Sequence, residues 1–253
     1  MNRTLAVGLA IIAVFVFIGA FGSLVAPYAP SATDYGRMFE NPSPAHLFGT
    51  DHLGRDTLSR LLVGAKTTLG LALLITIANS LIAVCVGSVS GFRGGMFDTA
   101  FMRIVDGLIA LPGFLIAIGF LGVFGGGIRN MALFLIITGW AGLARIVRNE
   151  VIVVKNMDFV VSSISLGLGA FRIIRGHIMP HVLPPLLIIF ISSLIGELFS
   201  IVSLSFLGLG ISPQIPEWGA MLNDARPYFL SSPALLVFPA LCKIGRASCR
   251  ERV

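Results

Sequence analysis

Charge is scarce in this chain. Asp, Glu, Lys and Arg make up 12% of its 253 residues, about half the share usual in a soluble domain. With a mean hydropathy of +0.93, that scarcity excludes an ordinary water-soluble globular protein. Cysteine is nearly absent as well. Cys85 lies in an apolar run and Cys242 and Cys249 near the end, with no metal or disulfide spacing, so no redox compartment follows. Histidine occurs four times, at His46, His52, His177 and His181. The last two are spaced i,i+4, but Pro180 intervenes and no third ligand is near, so no metal site is expected. Also missing are a nucleophile–base pair, a carboxylate pair and a phosphate cradle. Gly125–Gly127 is followed by neither a lysine nor a strand pattern. No catalytic residue, no ATP hydrolysis by this chain and no nucleic-acid partner are therefore expected.

What is present is apolar sequence, 56% of the residues, in runs long enough to cross a bilayer, which takes about 20 helical residues. The expectation is an all-α polytopic membrane protein with about six transmembrane helices. The spans fall near residues 5–26, 67–90, 98–124, 131–147 and 185–209, and a sixth begins at 233. The first run exceeds the ~7–15 residues of a signal core and is read as an uncleaved anchor. The sixth run, PALLVFPALC, breaks off into KIGRASCRERV, whose Lys243, Arg246, Arg250 and Arg252 against Glu251 supply half of the formal +6 charge. A truncated sixth span with foreign sequence appended is expected. The resulting division is 1–66 for anchor and external connection, 67–242 for the membrane core, and 243–253 for a non-native tail. Glycine, 29 residues, suits close helix packing in lipid.

The longest polar-tinted interruption of the second half is residues 157–185. Val160, Ile164 and Leu168 recur every fourth residue, and Phe171, Ile174 and Ile178 at three and four. Gly167 and Gly169 separate the two patterns, and Pro180, Pro184 and Pro185 are read as closing the second. Two short amphipathic helices hinged by glycines form a knob suited to contact with another protein. With the N-terminus inside, Arg145, Arg148, Lys155, Arg172 and Arg175 gather in the loop after span four. The outside cations are spread through a long connection. That contrast places the N-terminus and the knob in the cytoplasm.

Within the spans, Arg103 and Asp106 have a spacing that permits an ion pair. Glu197 either lines a path or holds neighbouring helices together. Asn79 is read as an interhelical hydrogen bonder.

Three stretches, FGTDHLGRDTLSRLLVGAKTTL (48–69), the 157–185 loop and LSFLGLGISPQIPEWGAMLNDAR (204–226), occur in an order that resembles the permease subunits of dipeptide, oligopeptide and nickel ABC importers. The second of the two paired permeases is the closer likeness, over residues 1–242. In that family the loop carries the EAA motif. Here Val161, Ser162 and Ser163 stand at its first three positions and Gly167 at its glycine, and His177 through Pro180 form its end. The acid of the motif is absent. A second acid, which relatives place near Ile201, is replaced by Glu197 one turn earlier.

The resemblance implies a heterodimer with a second permease, two cytoplasmic ATPases carrying ATP and Mg, and an external solute-binding protein. It implies no cofactor in this chain, and residence in a bacterial or archaeal cytoplasmic membrane. Val161, Ser162, Ser163, Gly167, Gly169, His177 and Pro180 would bear on the ATPase. Glu197 would belong to the translocation path. Asp51, Gly54, Arg55 and Asp56 would either brace an external loop or touch the solute. The connections 27–66 and 210–232 are candidates for contacting the binding protein. The substrate would be a peptide or nickel. The competing reading, a secondary transporter or channel without an ATPase, predicts internal symmetry and intramembrane ion sites. The chain offers a single strong intramembrane acid and no clear repeat.

Overall fold

The computed structural model describes residues 17–228 and Leu235. Among them every regular element is helical: α1 (17–25), α2 (Thr57–Arg93), α3 (Gly95–Ala110), α4 (Gly113–Phe124), α5 (Ile128–Lys155), α6 (Asp158–Ser165), α7 (Ala170–Ile173), α8 (Met179–Phe206) and α9 (Trp218–Ala225). A π-helical turn, Ile174–Ile178, joins α7 to α8 without interruption. The first sixteen residues, the sixth span apart from Leu235, and the 243–253 tail lie outside the described residues.

Among the described residues three helices are long and apolar enough to cross a membrane: α2, α5 and the continuous Ala170–Phe206. The pair α3–α4 would make a fourth crossing, bent by 85°. At about 1.5 Å per residue, the 37 residues of α2 or of Ala170–Phe206 run about 55 Å, well past the ~30 Å hydrocarbon core. Both therefore carry ends that stand clear of the lipid.

Several expected boundaries move. The span near 67–90 begins at Thr57, so the division at residue 66 falls inside α2. Arg60 and Lys66 suggested a loop, but Arg60 is fully buried and paired. The span near 98–124 is broken at Leu111–Pro112, where proline removes a donor and ends the ladder. Pro180, Pro184 and Pro185 do not close a helix. The missing N–H of Pro180 falls on the π turn, where Met179 N–H already reaches back five residues to Ile174. Membrane helices tolerate such prolines by local π adjustments. Residues 210–232, read as a polar connection, contain α9, which is almost entirely buried.

The chain forms two compact units. One comprises residues up to Leu71, Gly126–Ile128 and the residues from Leu198 on. The other comprises Ala72–Gly125 and Arg129–Glu197. In the first, Trp218 and Leu222 of α9 pack on Ala65 and Leu69 of α2 and on Val202 and Phe206 of α8. In the second, Gly87 and Gly91 bring α2 against α5. A Cβ on Gly87 would stand 2.6 Å from the Ala144 carbonyl, and one on Gly91 2.8 Å from that of Arg148. Small residues four apart allow backbones this close in lipid. Beside that seam Val105 of α3 packs with Ala83, Ala141 and Ala144.

Candidate functional site

The 157–185 stretch is built as an anchor and a rim. Val160, Ile173, Ile178 and Val182 are buried with Val147, Val151 and Val154 of α5. They fix α6 and α7 to the end of a long helix. Turned away from them, Phe159, Val161, Ile164, Leu166 and Phe171 are exposed, Leu166 to 82% and Phe171 to 76%. Between the two short helices Gly167 adopts φ +77°. Its N–H bonds to the Ile164 carbonyl at 2.9 Å, and Leu168 N–H to that of Ser163 at 3.3 Å. This is a Schellman cap, with a left-handed residue closing α6. Gly169 differs: its φ is −66°, at the N-cap of α7. Val161 and Ser162 are exposed on α6. Ser163, grouped with them from the sequence, is only 7% exposed and donates to the Phe159 carbonyl at 2.7 Å. Pro180 is exposed at the start of α8, and His177 is half-buried in the π turn before it. His181 bonds through Nδ1 to the His177 carbonyl at 2.9 Å and stacks on Phe159 with centroids 4.9 Å apart. The His181 imidazole thus serves local packing.

Charges behind the anchor hold α3 and α2 to α5. Arg148 clamps Asp98 through Nε and a terminal nitrogen, both at 2.5 Å. Lys155 Nζ donates to the Phe92 carbonyl at 2.6 Å, near the C-terminus of α2, where a cation complements the helix dipole. Asp106 pairs with Arg145 and not with Arg103 as the i,i+3 spacing allowed. The seam of Val105 with Ala141 and Ala144 brings α5 to the α3 face that carries Asp106.

Glu197 is half-buried in α8. Its Oε1 accepts from Asn79 Nδ2 at 2.9 Å, and the same amide reaches the Leu135 carbonyl at 3.3 Å. Asn79 therefore ties α2, α5 and α8 together. Gly139 makes room for this node: a Cβ there would lie 2.3 Å from Asn79 Nδ2 and 2.8 Å from Glu197 Oε1.

The GRD stretch belongs to the other unit. Asp51 Oδ1 accepts from the backbone N–H groups of Leu53 and Arg55 at 2.9 Å each, and its Oδ2 takes Arg55 Nε at 2.6 Å. Gly54 has φ +71°, and a Cβ on it would strike the Asp34 carbonyl at 1.8 Å. Arg55 extends to Asp224 at 3.3 Å and Arg60 to the Pro213 carbonyl at 2.9 Å. Asp56 is the N-cap of α2. Its Oδ2 accepts from Ser59 N–H and Oγ at 2.7 Å each, while Oδ1 pairs with His46 Nδ1 at 2.9 Å. Asp51, Gly54, Arg55 and Asp56 thus each have a bracing contact.

Two carboxyls that sequence reasoning passed over complete this unit. Glu217, 0% exposed, caps α9 by accepting from Gly219 and Ala220 N–H at 2.9 and 2.8 Å and from Thr68 Oγ1 at 3.2 Å. Burial pushes its carboxyl upward against those donors. Burial likewise raises Asp224, opposed by His52, Arg55 and Arg60. The only signal for Glu217 was its place directly before the WGAML run.

Residues 83–245 match the family described as the binding-protein-dependent transport system inner membrane component. The chain belongs to that family. The permease's first 44 residues also match the N-terminal TM domain of oligopeptide transport permease C. Relatives include the glutathione transport system permease protein GsiD of Pectobacterium atrosepticum, 36% identical over 88% of this chain and 75% of that protein. The proteins of the same name from Escherichia coli and Shigella boydii are each 38% identical over 89% of this chain and 75% of theirs. The permease is therefore an ABC importer subunit of the peptide and nickel family, a multi-pass inner-membrane protein and not an enzyme. The family match takes in α3 to α9, and with them both the rim and the Asn79-bonded Glu197.

Proposed function

We propose that this permease forms one half of a paired translocation unit for short peptides of the glutathione type. Two cytoplasmic ATPases, which bind ATP and Mg, drive it, and an external solute-binding protein supplies it. The observation that carries the coupling is the rim on its anchor. Phe159, Val161, Ile164, Leu166 and Phe171 stand exposed on two short helices locked by Gly167, and each Å² of apolar surface left in water forgoes about 25 cal/mol. A rigid, greasy projection at the end of a long membrane helix transmits a partner's movement better than a loose polar loop does. The N-terminus lies in the cytoplasm on this reading, because the loop after span four holds the densest group of cations. Span alternation then gives the 27–56 connection to the opposite face, where the solute-binding protein docks. Glu197, with one oxygen held by Asn79, contributes a carboxylate to the path. The peptide assignment rests on the printed names of the relatives.

The test is uptake by the full assembly in cells stripped of their own peptide importers. ATP-dependent accumulation of labelled glutathione, abolished by inactivating the ATPases, is expected. Accumulation that survives ATPase inactivation would make the chain a secondary transporter. Nickel uptake without peptide uptake would overturn the substrate.

A further inference from the structure

Three residues of one compact unit meet at the same depth. Asn79, Gly139 and Glu197 each stand within a residue of the midpoint of their apolar runs, 67–90, 131–147 and 185–209. Three separate helices, α2, α5 and α8, therefore put the node that these residues form near the middle of the hydrocarbon. A carboxylate at that depth faces protein or a water-filled cavity, and it calls for a positive partner. Among the described residues Glu197 forms no ion pair with Lys, Arg or His.

The groups left over at the node are acceptors. Asn79, itself 4% exposed, points its amide nitrogen at Glu197 Oε1 and at the Leu135 carbonyl, and its Oδ1 is buried without a partner. Asn79 thus orients the carboxylate and supplies no charge to balance it. Glu197 is half-buried and Gly139 exposed, so the node opens onto a surface of the unit. That surface is small and weakly polar. Ser193 and Ser200, both half-buried, flank Glu197 at i−4 and i+3, and Gly142 and Gly196 are exposed. A Cβ built on either glycine would meet nothing within 4 Å. An ammonium group fits this arrangement, because it has three donors, no acceptor and the charge that the carboxylate lacks. An anion would be repelled, and a neutral amide would leave the charge uncompensated. We infer that Glu197, oriented by Asn79, receives the free amino-terminal ammonium of the peptide at mid-membrane. The inference rests on the peptide-import reading above and adds which end of the solute the path holds.

The test uses the full assembly in proteoliposomes. A hydrophobic carbodiimide is expected to modify Glu197, as read by mass spectrometry. Glutathione supplied to both faces is expected to slow that modification, whereas its N-acetylated form at the same concentration does not. Glu197→Gln keeps the acceptor for Asn79 and removes the charge, so glutathione uptake is expected to fall at least about tenfold in an assembly that still copurifies. Equal protection by the two forms, or protection by neither, would show that no ammonium is held at Glu197. Unchanged uptake by Glu197→Gln would overturn the inference as well. So would a Glu197 that resists the carbodiimide in an assembly active in uptake, because another chain's cation then already engages it. If the unsubstituted assembly imports no glutathione, the peptide reading fails and the site with it.

Discussion

Gly167 and Gly169 are two residues apart, both exposed, and a Cβ on either meets nothing within 4 Å. Space therefore cannot distinguish them; backbone conformation does. At φ +77°, an alanine at position 167 incurs the left-handed penalty of about 1–2 kcal/mol. The capped arrangement of α6 then loses roughly 5–30-fold in population. At φ −66°, an alanine at 169 incurs none. There a weaker N-cap, costing up to about 1 kcal/mol, is offset by about 0.4–1 kcal/mol from a less flexible unfolded chain. The two variants would be made in the complete transporter and compared for peptide-stimulated ATPase activity and for protease nicking between α6 and α7. Gly167→Ala should loosen coupling and open the junction to cleavage, while Gly169→Ala should behave as the parent does. Equal behaviour of the two variants would refute the argument from the cap.

Gly139→Ala should disrupt the Asn79–Glu197 node, because the new methyl overlaps both side chains. Overpacking of this kind costs about 1–3 kcal/mol, read as a lower melting temperature in detergent; an unchanged melt would contradict the close approach. Asp56→Ala removes the α2 cap and leaves Nδ1 of buried His46 without its partner, so a loss of about 1–2 kcal/mol or more is expected. Asp56→Asn, which keeps an acceptor, should recover part of it. The raised Glu217 carboxyl holds a proton in the folded chain at pH values where the unfolded chain has already released it. Stability should therefore fall as pH rises through the window above the ordinary carboxylate range. Glu217→Gln should flatten that slope in melts taken across mildly acidic to neutral pH, and a slope that persists would assign it to another group.

The helical, membrane-crossing character and the α6–α7 knob were legible because both are periodic. Val160, Ile164 and Leu168 recur every fourth residue and Gly167 marks the cap, although Val160 is buried and Ile164 exposed. Features that depend on distant partners were not. Bracing was one of two readings for Arg55, but its distant partner Asp224, and the Pro213 carbonyl that receives Arg60, could not be named from the sequence. α9 mixes Trp218 with Asn223 and Asp224 and looked like loop, and only packing against α2 and α8 makes it a buried helix. Proline misled in both directions. Pro180, Pro184 and Pro185 lie inside a continuous helix, with a π turn directly before Pro180, whereas Pro112, hidden in an unbroken apolar run, marks the real elbow. Ser163 and Ser162 are adjacent in the motif, but helical geometry turns the first into the anchor and leaves the second outside.

That last distinction offers the most direct test of the coupling claim. Ser162→Cys and Ser163→Cys, each in a cysteine-free full-length chain assembled with its ATPases, would be treated with a short bifunctional thiol crosslinker, with and without ATP. The account predicts a crosslink from position 162 to the ATPase, with a yield that changes on ATP addition, and little or none from the buried position 163. No crosslink from position 162 in an assembly that still hydrolyses ATP in response to peptide would contradict it.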